Sequence, residues 1–305
     1  MRASTSGLVA AIATGALVLG GVSARADDEG AGAGTTQATA TETTATQPTE
    51  STPTESTPTE STPTETTPTE TTPPPTTKPP APKYTWRTVT IGHSRKGRPI
   101  RATYKGWSDA KRVVLVLGQM HGDEPAGPKV VRRMISHERV AKGYAVWFVP
   151  TMNPDGAAKK RRTNARGVDL NRNWPTSGWS SKGKGSRTWG GPRRQSEPET
   201  KAMLRFLKKH QPRYIASLHQ PFGVVARTGK DTAWEKRLSK ELKLPVKAVG
   251  VGTPSGRTSP TLTGWYNRYL PKRGTATTIE LKRSVSGSYI RKRAAPGILR
   301  AARYR

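Results

Sequence analysis

Apolar positions are spread so unevenly along the 305 residues that they divide the chain into three stretches. Leu8 to Val22 is a 15-residue run of apolar and small residues behind Arg2, followed by Ala24-Arg25-Ala26. That order matches a secretory signal peptide over residues 1–26, with small residues at the positions a signal peptidase reads. The run is shorter than the span of about 20 residues a membrane helix needs. Stable membrane insertion after its removal is therefore not expected. Residues 27–83 are almost entirely Thr, Pro, Ser, Glu, Ala and Gly, and a unit such as Ser51-Thr52-Pro53-Thr54-Glu55 recurs between Thr46 and Glu70. With almost nothing to bury, this stretch cannot offset the entropy of ordering itself. Its regularly placed prolines make it a disordered, semi-rigid spacer.

From Tyr84 onward the pattern changes to short apolar runs separated by amphipathic stretches. Arg112 to Gly118 (RVVLVLG) is a short, Val-rich apolar run, Tyr144 to Val149 is a second, and Tyr214 to Leu218 and Ala276 to Leu281 are two further strand candidates. Runs of that kind mark strands buried on both faces. Between them, Ala126 to His137, Glu197 to His210 and Trp234 to Leu244 carry apolar residues at helical spacing, with Pro125 acceptable at a helix start. Strands alternating with helices predict an α/β sheet covered on both faces. Functional sites of such sheets gather beyond the carboxyl ends of the strands.

Charge adds to this picture. The last 222 residues, 84–305, hold 48 Lys and Arg against 12 Asp and Glu, a net charge of +36. They have the length of one enzyme-sized domain. The absence of cysteine excludes a disulfide framework, so stability must come from the core.

The chemistry-bearing residues fall at the predicted strand ends. His121-Gly122-Asp123-Glu124 follows the first strand, and a His and a carboxylate three apart in a turn can face one point, as catalytic zinc requires. HxxE alone is common, and a solvated loop is the plain alternative. A third ligand must come from His93, His137, His210 or His219. His137 and His210 fall near helix ends, where exposure is expected, and His93 in a polar turn. His219 ends a predicted strand. Arg162 to Pro175 (RTNARGVDLNRNWP) reads either as a basic surface loop or as an Arg fork beside an Asn, shaped to take a carboxylate. Glu280 lies inside an apolar strand, which is costly unless it is paired with an Arg or functional. Partial burial would raise its pKa toward the range useful for proton transfer.

In chain order, HSRKGRPI (93–100), LGQMHGDE (117–124), VPTMNPDG (149–156), RTNARGVDLNRNWP (162–175), SEPET (196–200), SLHQP (217–221) and TIEL (278–281) resemble the zinc metallocarboxypeptidase family, and within it the murein peptide amidase branch. The resemblance implies a single α/β domain over 84–305 with a mixed, largely parallel central sheet flanked by helices on both faces. It implies Zn²⁺ held by His121, Glu124 and His219, and Glu280 as the general base toward the attacking water. Arg162 matches the cation that stabilises the oxyanion; Arg161 is its neighbour and rival, less favoured for lacking the Arg-x-Asn spacing. Asn171 and Arg172 match the clamp on a substrate carboxylate. The chain departs from digestive carboxypeptidases in the loop Gly250 to Gly264, which has no Tyr; Tyr266 is out of register, and Arg257 reads as a substrate contact or a solvated side chain.

The function this implies is a secreted, wall-associated monomer that hydrolyses peptide bonds of peptidoglycan stem peptides next to a carboxylate-bearing residue. A general secreted carboxypeptidase and an N-acyl amino acid deacylase share the chemistry. A non-catalytic basic module binding anionic wall polymers is the alternative of a different class. No specific nucleic-acid partner is expected, because the basic residues are scattered rather than interleaved with aromatics.

Overall fold

The computed structural model describes residues 80–250, 253–270 and 274–303. The expected signal peptide and nearly all of the expected spacer lie outside the described residues. In chain order the elements are β1 (Tyr84–His93), β2 (Pro99–Trp107), β3 (Arg112–Leu117), α1 (Ala126–His137), β4 (Tyr144–Val149), α2 (Pro154–Ala158), α3 (Pro198–His210), β5 (Tyr214–His219), β6 (Phe222–Ala226), α4 (Thr232–Leu242), β7 (Val246–Lys247), α5 (Leu262–Tyr269) and β8 (Thr275–Lys282). A short helix α6 (Gly287–Tyr289), a π turn and α7 (Ala295–Arg303) follow.

The eight strands form one mixed sheet in the order β1-β2-β4-β3-β5-β8-β6-β7. Its centre, β4-β3-β5-β8, is parallel, while β2 joins β4, and β6 joins β8, antiparallel. Alternate residues of the central strands enter two separate cores. Val114, Val116, Val146, Phe148, Ala216 and Leu218 pack with α1, α4 and α7 on one face. Leu115, Leu117, Trp147, Val149 and Ile215 pack with α3 and α5 on the other. Burial on both faces is why these strands read as unbroken apolar runs rather than as alternation. Each Val, Leu, Ile or Phe side chain buried in this way contributes about 1.5–3 kcal/mol relative to exposure.

The expected fold is therefore present, with shifts at element ends that have local causes. Helix α3 begins at Pro198, with Glu197 in the capping position, and α4 begins at Thr232 because the Asp231 side chain accepts the Trp234 N–H. His93 is the last residue of β1 rather than part of a turn. His137 is exposed at the end of α1, as expected. His210 is not exposed: it is half-buried, its ring 4.8 Å from Trp147 and 4.5 Å from Phe206, and burial holds its pKa below the ordinary value. Among the described residues, no helix is long and apolar enough to cross a membrane.

Candidate metal centre and substrate cleft

The parallel centre of the sheet delivers the candidate residues to one place. His121 and Glu124 lie in the turn after β3, His219 is the last residue of β5, and Glu280 is its register partner on β8. The turn after β3 fits against α2 only because residue 122 is glycine: a Cβ there would overlap the Gly156 backbone. Gln220 ties the strand ends together. Its side chain accepts from the Ala126 N–H of α1 and donates to the carbonyls of Lys282 and Arg283.

His121, Glu124 and His219 are all buried, and their ligand atoms lie within 4.8 Å of one another. His121 Nδ1 is 2.7 Å from Glu124 Oε1 and 3.2 Å from His219 Nδ1. His219 Nδ1 is 3.1 Å from Glu124 Oε2, an ion-pair distance without hydrogen-bond geometry, so that buried oxygen has no hydrogen-bond partner. The other ring nitrogens are spoken for: His121 Nε2 faces Asp169 Oδ1 at 3.0 Å and His219 Nε2 faces Ser217 Oγ at 3.1 Å. Both imidazoles thus turn Nδ1 inward.

That arrangement fits a zinc ion. Tetrahedral zinc with bonds of about 2.0–2.1 Å separates neighbouring ligand atoms by about 3.3 Å, close to the spacings here. Two ring nitrogens 3.2 Å apart also cannot both hold protons, whereas a shared cation satisfies both lone pairs and the orphaned carboxylate oxygen. Taken by themselves, the buried carboxylates make the site favour positive charge. Burial alone would raise the Glu124 carboxyl, but His219 and His121 draw it down to about 2. Burial would lower His121, but Asp169 and Glu124 carry it up to about 9. Asp169 stays well below the usual carboxylate range despite its burial, held there by His121, Arg162 and Arg172.

Arg162 stands beside this cluster. Its Nη1 is 3.2 Å from His121 Nδ1 and 3.6 Å from Glu124, while Nε and Nη2 both donate to Asp169 Oδ2 at 3.2 and 2.9 Å. Its backbone carbonyl accepts from the Gly122 N–H and from Asn153 Nδ2, so the Arg162 segment and the ligand turn are stitched together. Arg161 is exposed and lines a different cavity, whereas Arg162 lines the cleft.

Asn171 and Arg172 lie on a 3-10 turn capped by the Asp169 side chain. Asn171 Oδ1 accepts the Leu262 N–H at 3.1 Å, which fixes the amide and leaves its Nδ2 for the cleft. Arg172 Nη1 donates to the Asn171 carbonyl at 2.9 Å, and burial holds its pKa below the ordinary value. Glu280 is buried, its Oε2 has no hydrogen-bond partner, and burial raises its carboxyl above the ordinary value.

All seven sequence-predicted residues line one cleft of about 1040 Å³. The chain also supplies residues the motifs did not single out. Asp169 organises His121, Arg162 and the Asn171 backbone at once, and Arg187, Arg227 and Arg283 line the same cleft. Asp169 sat in plain view in the GVDLNRN run, but a lone Asp among basic residues carries no sign of three partners. Tyr266 is buried and donates to the Pro212 carbonyl, and Arg257 is exposed and outside the cleft lining, so neither side chain reaches the site.

The zinc carboxypeptidase profile matches residues 82–242, a span holding every predicted site residue except Glu280. The chain is similar to murein peptide amidase A of Escherichia coli (strain K12), 34% identical over 183 residues that cover 55% of this chain and 73% of that protein. In three dimensions it is similar to murein-tripeptide amidase MpaA from Escherichia coli O157, with a TM-score of 0.55 and 22% identity over 72% of this chain and 92% of that one. It is also similar to bovine thrombin-activatable fibrinolysis inhibitor, with a TM-score of 0.58 and 16% identity over 71% of this chain and 88% of that one. At these identities the structural likenesses establish the fold.

Proposed function

The chain belongs to the zinc carboxypeptidase family, on its murein peptide amidase-like branch, and from that premise we propose that it hydrolyses the amide bond preceding a carboxylate-bearing residue in murein stem peptides. The observation that carries the reading is Glu280: a buried carboxylate with a free oxygen, in register with His219 and facing the same cleft as Arg162, Asn171 and Arg172.

Zinc held by His121, Glu124 and His219 would polarise the scissile carbonyl and make water a competent nucleophile near neutral pH. The remaining work falls to the chain's own groups. Glu280, with one oxygen unpartnered and its carboxyl raised by burial, takes the proton from the attacking water and returns it to the leaving amine. Arg162, oriented by Asp169, offers a fixed positive charge where the carbonyl oxygen becomes anionic. Asn171 Nδ2 and the Arg172 guanidinium receive the carboxylate on the leaving side and so fix which bond is presented. Five arginines along the cleft favour substrates with several carboxylates over neutral ones. A signal peptide and a Thr/Pro/Glu-rich spacer ahead of the domain suit a monomer exported to the cell wall. The net charge would hold it near anionic wall polymers.

Three measurements test this: bound zinc, hydrolysis of a murein tripeptide against ordinary peptides with and without chelator, and turnover by Glu280→Gln. Stoichiometric zinc, chelator-sensitive cleavage and a loss of about 10²–10⁴ in the variant are expected. A protein without zinc, or an undiminished Glu280→Gln, overturns the mechanism. Faster cleavage of ordinary C-terminal peptides or of N-acyl amino acids would move the substrate class to one of those relatives.

A further inference from the structure

We propose that a second cavity, which shares Arg162 with the catalytic cleft, is an anion-selective subsite for a carboxylate carried by the acyl portion of the substrate, the part preceding the scissile bond. The inference rests on the catalytic reading above, which places the leaving side at Asn171 and Arg172.

The cavity is about 570 Å³, within the usual range for ligand pockets. It shares Asp123, Arg162 and Arg187 with the catalytic cleft, but neither clamp residue, nor His219, nor Glu280 lines it. The two cavities meet at these three residues, so an acyl segment that leaves the reacting carbonyl beside Arg162 has this cavity within reach.

Its walls come from three separate segments. Lys160 and Arg161 stand in the turn after α2, Arg166 in the turn that Asn164 organises, and Lys184 and Arg187 in the loop leading to Trp189. The scaffold behind them is fixed. Asn164 is buried, accepts the Arg166 and Val168 N–H groups, and donates to Glu197 and Glu199. Trp189 is buried and anchors the loop by donating to the Ser181 carbonyl at 3.0 Å.

The balance of charge is one-sided. Asp123 is the lone carboxylate in the lining and is already paired with Arg187 at 3.0 Å. Arg166 leans on Glu197 at 3.7 Å. Among the described residues, Lys160, Arg161 and Lys184 have no carboxylate within 4.0 Å. Like charges gathered on a concave wall repel one another, and a bound anion relieves that cost. A phosphate has the same appeal to such a wall. Continuity with the cleft through Arg162 favours a carboxylate on the substrate itself.

The test uses the zinc-loaded full chain and two peptides that differ only by Glu or Gln on the acyl side. Wild type should prefer the Glu peptide in kcat/KM by about 10- to 100-fold, the worth of one or two hydrogen bonds to charged groups. Arg161→Ala/Lys184→Ala should bring the ratio close to one. Lys236→Ala/Lys240→Ala, which removes the same charge from the exposed side of α4, should keep it. Calorimetric binding of both peptides to Glu280→Gln separates this inference from the catalytic one. A retained preference for the Glu peptide supports the subsite even if neither peptide is cleaved. No preference in wild type, equal loss in the α4 control, or binding of inorganic phosphate with equal binding of the two peptides would overturn it.

Discussion

Asp169 Oδ1 lies 3.0 Å from His121 Nε2, and because a carboxylate can only accept, that nitrogen must carry the proton. Nδ1 is therefore the nitrogen whose lone pair a metal held with Glu124 and His219 would take. The opposite oxygen of Asp169 receives two donors from Arg162. A single buried carboxylate thus sets both the metal-facing nitrogen and the angle of the cation beside it.

Asp169→Asn should weaken zinc binding by about 10- to 100-fold, the usual cost of losing the partner that orients a ligating histidine. Competition against a chromophoric chelator measures this directly. An unchanged affinity would show that His121 needs no such orientation.

Arg172→Ala should lower kcat/KM by about 10- to 100-fold for substrates with a free carboxylate on the leaving residue, the value of a charge-assisted contact. The corresponding carboxamides should lose far less, since they never made it. Equal losses on both series would place Arg172 outside substrate recognition.

Gly122→Ala should cost about 1–3 kcal/mol, because the added methyl overlaps the Gly156 backbone and one of the two segments must move. Thermal melting should fall by several degrees, and zinc affinity should fall with it, since the displaced turn carries two of the three ligands. A melting point equal to wild type would mean that the turn accommodates the methyl freely.

Glu199 gives stability a pH dependence away from the metal centre. Burial raises its carboxyl above 4.5, opposed by the Arg95 N–H and Asn164 and assisted by Glu197. The folded state therefore binds its proton more tightly than the unfolded state. The stability from this group is complete below the unfolded value of 4.5 and is lost as pH rises through the higher folded value. Glu199→Gln keeps a neutral side chain at every pH, so its melting temperature should gain on wild type between pH 4 and pH 7. A difference that stays constant across that range would remove Glu199 as the cause.

The legible parts of the sequence were those where one physical cause dominated. Burial on both faces turned β3, β4 and most of β5 into apolar runs, and the parallel topology then placed His121, His219 and Glu280 beyond or near strand ends. The β1–β2 hairpin was missed because β1 is largely exposed and its alternation is broken, with Tyr84 and Trp86 in one register and Val89 and Ile91 in the other. Helix α5 is short, and it packs through Leu262, Trp265 and Tyr266 within a segment that reads as loop. His210 looked solvent-bound from its place at a helix end, but β4 presents Trp147 to it across the sheet face. Asp169 was hidden for a different reason: its partners come from the turn after β3, the Arg162 segment and the turn that it caps, which only the fold brings together.

His121 and His219 are 98 positions apart, while Glu124 is only three from His121. A chain that has formed only its first half holds a two-ligand turn, which cannot retain the ion firmly. The third ligand joins the other two only where β5 lies beside β3. An ion held by all three would therefore tie hydrolytic power to the assembled sheet rather than to the ligand turn alone.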